Sequence, residues 1–327
     1  MAYFISQSLF FVIPLLIVAI AGMFSEKSGT VNIALEGLMV IGAFCGILFI
    51  NKMQGIGAFA NTPQLFLIFA ILLAGLGGAL FASLLGFLAI NMKADQTIGG
   101  TALNLLAGSL AIFLAKQTQE NHAVQISYDK EVFRLNSDFL KDIFPNINYI
   151  FFDMAYLTTY IGFLILIVAT IVIYKTKFGS RLSACGEHPE AAQSVGVNVY
   201  HYRWYGVLIS GFLGGIGGLV YALPISVSFE GTVAGYGFLA LAVLIFGQWK
   251  PMRILFAAIF FGIFKTLSVT FFGFDWINQL IIRFPNIPFG MIFRMLPYIA
   301  TMVVLAIFSK KSKAPKAAGK PFVTGGR

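Results

Sequence analysis

Apolar stretches recur along the whole chain, nine of them, most close to the ~20 residues that carry a helix across the hydrocarbon core of a bilayer. Lipid offers backbone polar groups no partners, so a segment there must satisfy them internally, which a helix does alone and a strand does only in a closed barrel. The apolar cores run over Leu9–Phe24, Ala34–Ile50, Leu65–Ile90, Ile98–Ala115, Ala155–Tyr174, Trp204–Pro224, Tyr236–Gln248, Met252–Phe272 and Pro288–Phe308, the second and seventh being short. Charged residues make up 11% of the 327 residues, against the roughly 25% usual in soluble domains, and mean hydropathy is +0.87. An ordinary soluble enzyme is excluded. The expectation is an all-α integral membrane protein, a polytopic helix bundle of about nine spans, within a range of about eight to ten. The first stretch is kept as a mature span, because Met1–Gln7 carries no positive charge and the chain stays apolar beyond it.

The net charge of +9 sits in short segments between the apolar runs, where Lys and Arg report membrane orientation rather than a nucleic-acid polymer. Placing the C-terminus in the cytoplasm puts Lys27, Lys93, Lys175, Lys177, Arg181, Arg203, Lys250, Arg253 and the basic residues of the tail on that side, 14 of 22 bases in all. Lys52, Lys116, Lys130, Arg134, Lys141 and Arg283 then lie outside, and Lys265 and Arg294 fall within spans, where both are expected to snorkel. The domain division is a transmembrane region over 1–309 and a basic cytoplasmic tail over 310–327. An external loop at 117–154 is acid-rich (Glu120, Asp129, Glu131, Asp138, Asp142, Asp153) and suits either a partner contact or a solvated lobe. Cys45 and Cys185 lie in dissimilar contexts and are not expected to pair.

Gly29-Thr30-Val31 precedes the second span and Gly231-Thr232-Val233 the seventh. Five spans separate the equivalents, which would make the copies antiparallel, as in inverted-topology transporters with a midplane site between discontinuous helices. A tripeptide also recurs by chance in a chain with 34 glycines. Gly75, Gly77 and Gly78, with Gly211, Gly214, Gly215, Gly217 and Gly218, are read as faces for close helix packing. Catalytic patterns are missing: His122, His188 and His201 fall in loops or at a span's start, with no HExxH motif and no phosphate loop ending in Gly-Lys-Ser/Thr. Asn32, Glu36, Thr101, Asn104, Thr232 and Gln248 lie near span ends and the Gly-Thr-Val breaks. Their amides and hydroxyls suit hydrogen bonding to a sugar or nucleoside, or equally the satisfaction of broken helix ends.

The loop 175–203 carries helix-start logic. Pro189 suits a first turn, Glu190 the positive helix N-terminus, Ala191 and Ala192 propagate the helix and Gly196 ends it. Glu190-Ala191-Ala192 followed by Gly196 resembles the EAA-x-x-x-G coupling-helix signature of bacterial ABC-importer permeases. Ala184-Cys185-Gly186-Glu187 looks like the lead-in of the branch importing branched-chain amino acids, ribose and nucleosides. The Ile-x-Leu-Pro ending of other branches is absent. Val31 to Phe44, with Asn32, Glu36 and Gly37, is similar to the same branch's N-I-x-x-E-G-x-M-x-x-G-A pattern, and Gly235-Tyr236-Gly237-Phe238 adds a third match. Within the branch, the nucleoside and purine permeases are most similar.

The resemblance implies a type II-like ABC-importer permease in a bacterial plasma membrane, importing a nucleoside or related solute; the alternatives are a simple sugar such as ribose or galactose, and more remotely an autonomous transporter or channel. It implies as partners an ABC ATPase subunit, a second permease, identical or paralogous, and an extracellular substrate-binding lipoprotein. The chain itself would be non-catalytic and hold no cofactor, ATP and Mg being bound by the ATPase. Glu187, Glu190, Ala191, Ala192 and Gly196 would couple to that ATPase, and Asn32, Glu36, Asn104 and Tyr236 would belong to the translocation path.

Overall fold

A computed structural model describes residues 2–57, 59, 61–119, 123–135, 145–153, 155–274, 277, 279, 282–283, 288–308 and 314–322. The helices are α1 (Ala2–Lys27), α2 (Leu35–Gly55), α3 (Pro63–Gly86, continued by a π-turn to Asn91), α4 (Gln96–Thr118), α5 (Pro145–Asn148), α6 (Leu157–Lys175), α7 (Lys177–Glu187), α8 (Pro189–Ser194), α9 (Val199–Ile225), α10 (Tyr236–Phe246), α11 (Pro251–Thr270) and α12 (Phe289–Phe308). Seven of these, α1–α4, α6, α9 and α11, are long and apolar enough to cross a membrane, and α10 and α12 add two shorter apolar segments. Together they fall on the nine stretches expected from the sequence. His122, Glu120, Asp138, Lys141 and Asp142 lie outside the described residues.

Burial divides the bundle into a centre and a rim. From Leu15 to Ala21 every residue of α1 is fully buried, which is what a helix apolar on all sides requires. On α4 the buried positions are Gln96, Gly100, Leu103, Ala107, Ala111 and Ala115, a stripe at three- and four-residue spacing, while Leu105 on another face is 77% exposed. Small residues set how close the central helices come. A Cβ on Gly42 of α2 would overlap the backbone of Gly215 on α9, and one on Gly218 would overlap the Met39 carbonyl. Without a hydrophobic drive between helices in lipid, such backbone approach is a main source of packing energy.

Two boundaries differ from the sequence expectation. Helix α9 begins at Val199, because the Asn198 side chain accepts from the His201 amide and caps it there. Arg203, expected in a loop, is therefore helical and only 1% exposed. Helix α10 stops at Phe246, where Gln248 and Trp249 take left-handed backbones. Its 11 residues reach about 16 Å, roughly half of a ~30 Å hydrocarbon core. Lys265 and Arg294 line one cavity of about 370 Å³ with Tyr298, between α11 and α12.

At one end of the bundle, the described part of the 117–154 loop is tied down. Its strand β1 (Ile126–Ser127) pairs antiparallel with β2 (Ser228–Phe229), and the Tyr128 hydroxyl donates to the Ala222 carbonyl at 2.8 Å. The other end carries α7, α8 and residues 314–322.

Candidate functional site: two helix breaks and a surface helix

Both Gly-Thr-Val segments interrupt the helices. Gly29 (φ 97°) and Gly231 (φ 75°) each take a left-handed backbone that L-residues avoid, and a helix starts a few residues later in each case. Helix α2 begins with no side-chain cap of its own. Its free amides are met from outside: Asn104 of α4 accepts from the Gly37 amide at 2.7 Å and donates to the Ile33 carbonyl at 2.9 Å.

Glu36 joins the two breaks. Its carboxylate accepts from the amides of Gly235, at 2.8 Å, and Gly237, at 2.6 Å, at the N-terminus of α10. A carboxylate there meets both the unpaired amides and the positive end of the helix dipole. Gly237 packs directly on the Glu36 backbone, so the starts of α2 and α10 meet. Tyr236 is fully buried, donates to the Phe11 carbonyl at 3.1 Å and packs against Tyr221, the rings tilted by 33° with centroids 4.2 Å apart. Asn32 is fully buried and donates to Ser210 at 2.8 Å. Each of the four residues placed in a translocation path thus has an intramolecular partner, and Glu36 and Asn104 keep partial exposure beside the exposed Thr101 and Phe238. Thr101 bonds the carbonyls of its own helix, Thr232 accepts from the Ala234 amide, and Gln248 accepts from Arg253.

Three further residues carry these joints and stand out in no sequence pattern. Gln96, 4% exposed, accepts from the Val31 amide at 2.7 Å. Ser210 holds Asn32, and the Trp249 indole donates to Glu26 at 2.6 Å. Glu26, a carboxylate at the end of an apolar run, was the available signal. Asp95 caps α4 by accepting from the amides of Thr97 and Ile98, which hold its carboxyl below the usual range.

The surface helix α8 has Pro189 at its start and His188 at its cap position. Gly196 (φ 83°) ends it, the Val197 amide bonding the Ala192 carbonyl at 3.0 Å and the Gly196 amide the Gln193 carbonyl at 2.9 Å. This pattern is a Schellman motif with glycine in its left-handed position. Nothing lies within 4 Å of a Cβ built there, so the glycine answers a backbone demand and its outer side is open. Glu187, Glu190 and Ala191 are exposed. Ala192 turns inward, onto a cluster with Cys185, Val199 and Phe322. Burial there pushes the Cys185 thiol up to about 11, so it stays protonated at neutral pH.

Comparison with known proteins identifies the architecture. The family described as branched-chain amino acid transport system, permease component, matches residues 4–308. The chain belongs to this permease family. It is 39% identical over 321 residues to the nucleoside ABC transporter permease protein NupC of Lactococcus lactis, covering 98% of this chain and 96% of the relative. It is 40% identical over 324 residues to the guanosine ABC transporter permease protein NupQ of Bacillus subtilis, covering 99% and 97%. A second nucleoside permease of L. lactis, NupB, is 25% identical over 313 residues, covering 93% and 81%. No solved structure matches. The chain is thus an ABC transporter permease component that spans the membrane many times.

Proposed function

We propose that this chain is a permease subunit of a nucleoside importer, driven by a separate ABC ATPase that binds ATP and Mg. The observation that carries the substrate class is the 39–40% identity, over almost the whole of both chains, to permeases named for nucleosides and guanosine. The pore pairs this chain with a second, related permease, a reading supported by the presence of two different nucleoside permeases, NupC and NupB, in one relative's organism. An external substrate-binding lipoprotein delivers the solute. The end bearing α7 and α8 faces the cytoplasm, in keeping with the bases gathered there: Lys27, Lys175, Lys177, Arg181, Lys250, Arg253, Lys316 and Lys320.

In mechanical terms, α8 and the end of α7 dock with the ATPase through Glu187, Glu190, Ala191 and the outer side of Gly196, while Ala192 fastens α8 to the bundle. ATP binding favours one permease conformation over another, and that difference alone is what drives alternating access. The path runs beside Glu36, Asn104, Asn32 and Tyr236, the head-to-head helix starts placing polar backbone where a solute must pass. The chain performs no chemistry of its own.

The test uses the assembled complex in liposomes with its lipoprotein. Gly196→Trp is expected to abolish nucleoside uptake and substrate-stimulated ATP hydrolysis, whereas Gly196→Asn, which tolerates the left-handed backbone, should retain much of both. Unchanged uptake in Gly196→Trp would remove the coupling assignment. Excess guanosine should compete with labelled substrate and excess ribose should not; the reverse would assign the permease to sugars.

A further inference from the structure

Residues 314–322 read as a solvated basic tail, yet they lie against the bundle. Pro315, Ala317 and Phe322 are buried while Lys316 and Lys320 point outward. Four hydrogen bonds fix the segment to three separate elements. The Ala317 amide donates to the Gly186 carbonyl of α7 at 2.8 Å, and the Gly319 amide to the Gly29 carbonyl at 3.2 Å. Arg203 of α9 donates to the Lys320 carbonyl at 2.9 Å, and the Tyr200 hydroxyl to the Phe322 carbonyl at 3.2 Å. The Phe322 ring meets Tyr200 edge-on, with centroids 5.5 Å apart, and sits 5.9 Å from the Arg203 guanidinium carbon.

Two of these contacts matter together. Phe322 shares a buried cluster with Ala192, the inward side of the coupling helix. Gly319 bonds Gly29 and lies 3.5 Å, measured from a built Cβ, from Val31. Those residues form the turn that leads into α2 and to Glu36. Along the same end, α7 abuts the turn, since a Cβ on Gly186 would overlap the Lys27 carbonyl. Between the segment and the α7–α8 junction remains a cavity of about 610 Å³, bordered by Glu187, Glu190 and Lys316. Contact is therefore concentrated at Pro315, Ala317, Gly319, the Lys320 carbonyl and Phe322.

We infer that residues 314–322 are a working part of the coupling apparatus, a strap that carries movement of α8 through Phe322 and Gly319 to the Gly29–Ala34 turn and so to Glu36. This rests on the reading of α8 as the helix that meets the ATPase. Arg203 is a positioning residue for the strap. Coupling energies between linked sites commonly correspond to factors of 5–150, and a packed, hydrogen-bonded element with contacts at both ends is one physical carrier of such coupling.

The experiment compares full-length permease, a chain ended after Lys313, Phe322→Ala and Phe322→Tyr, each in the assembled complex and normalised to permease content. The truncated chain is expected to lose uptake and substrate-stimulated hydrolysis by about tenfold while basal hydrolysis stays within about twofold. Phe322→Ala should show the same split with a smaller loss, and Phe322→Tyr should restore it. Normal uptake in the truncated chain would overturn the inference, as would a parallel fall of uptake and basal hydrolysis in Phe322→Ala. Gly196→Trp separates the two readings: if it is disabling while the strap variants are normal, only the strap fails, and if it is neutral the coupling role of α8 fails as well.

Discussion

The same tripeptide precedes α2 and α10, and its surroundings are opposite. In the first break Thr30 and Asn32 are fully buried, Gln96 and Ser210 hold the chain, and Gly29 is bonded from outside the span. In the second, Thr232 and Ala234 are exposed, and both help border a cavity of about 140 Å³ with Tyr221 and Glu230. Ala234 even holds a left-handed backbone (φ 53°) between two left-handed glycines, an arrangement costly for an L-residue. One break is a fixed joint between the end bearing α8 and the centre of the bundle. The other is the more open one, with its exposed residues at the edge of that cavity. Glu36 belongs to the buried side and reaches into the open one, so its carboxylate, together with the packing of Gly237 on its backbone, joins the two breaks.

Removing that carboxylate gives the largest expected effect. Glu36→Ala leaves the Gly235 and Gly237 amides without their charged acceptor, a loss of about 3 kcal/mol in stability, since hydrogen bonds to charged groups contribute about 1.5–3 kcal/mol each. Uptake should fall on the order of 100-fold, and thermal unfolding in detergent should shift downward. Glu36→Gln keeps one acceptor oxygen and should fall between. If Glu36→Ala unfolds and transports like the parent, the two breaks are independent and the comparison has no mechanical content.

A smaller effect should separate the two glycines. Alanine at either position incurs about 1–2 kcal/mol for the left-handed backbone. At Gly29 the new methyl would also lie 3.0 Å from the Arg203 guanidinium, which is buried and committed to Lys320, whereas at Gly231 it meets the movable Ile112 side chain at 2.8 Å. Gly29→Ala is therefore expected to destabilise more than Gly231→Ala, by about 1 kcal/mol in the same unfolding assay. Equal effects would mean that the first joint is no tighter than the second.

How much of this was legible beforehand depended on whether the signal was local. The spans could be read because about 20 apolar residues in a row have few other uses. The limits of α8 were equally readable, since Pro189 and Gly196 each do a job set by the backbone at that position. The joints were not. Asn32 finds Ser210 178 residues away and Trp249 finds Glu26 223 residues away, so no spacing in the chain announces either pair. Residues 314–322 failed for a related reason. Their lysines give the composition of a solvated tail, and the three apolar residues that bury, Pro315, Ala317 and Phe322, make no periodic face. Arg203 counts in the sequence only as one more base in a polar loop, which says nothing of its burial.

The smallest effect should also show opposite signs in the two breaks. Thr30 places a hydroxyl in a fully buried position where, among the described residues, it has no hydrogen-bond partner. Thr232 is exposed and accepts from the Ala234 amide at 3.1 Å, a short turn that steadies the backbone two residues on. Valine has nearly the shape of threonine without the polar oxygen, so Thr30→Val removes a desolvated group that gains nothing from folding and should stabilise by up to about 1 kcal/mol. Thr232→Val loses a solvent-exposed bond and should destabilise by about 0.5 kcal/mol. Unfolding midpoints should therefore move upward for the first and slightly downward for the second. A destabilising Thr30→Val would mean that the buried hydroxyl is satisfied inside the chain, as by a buried water, and that the first joint is held by one more polar contact than the geometry shows.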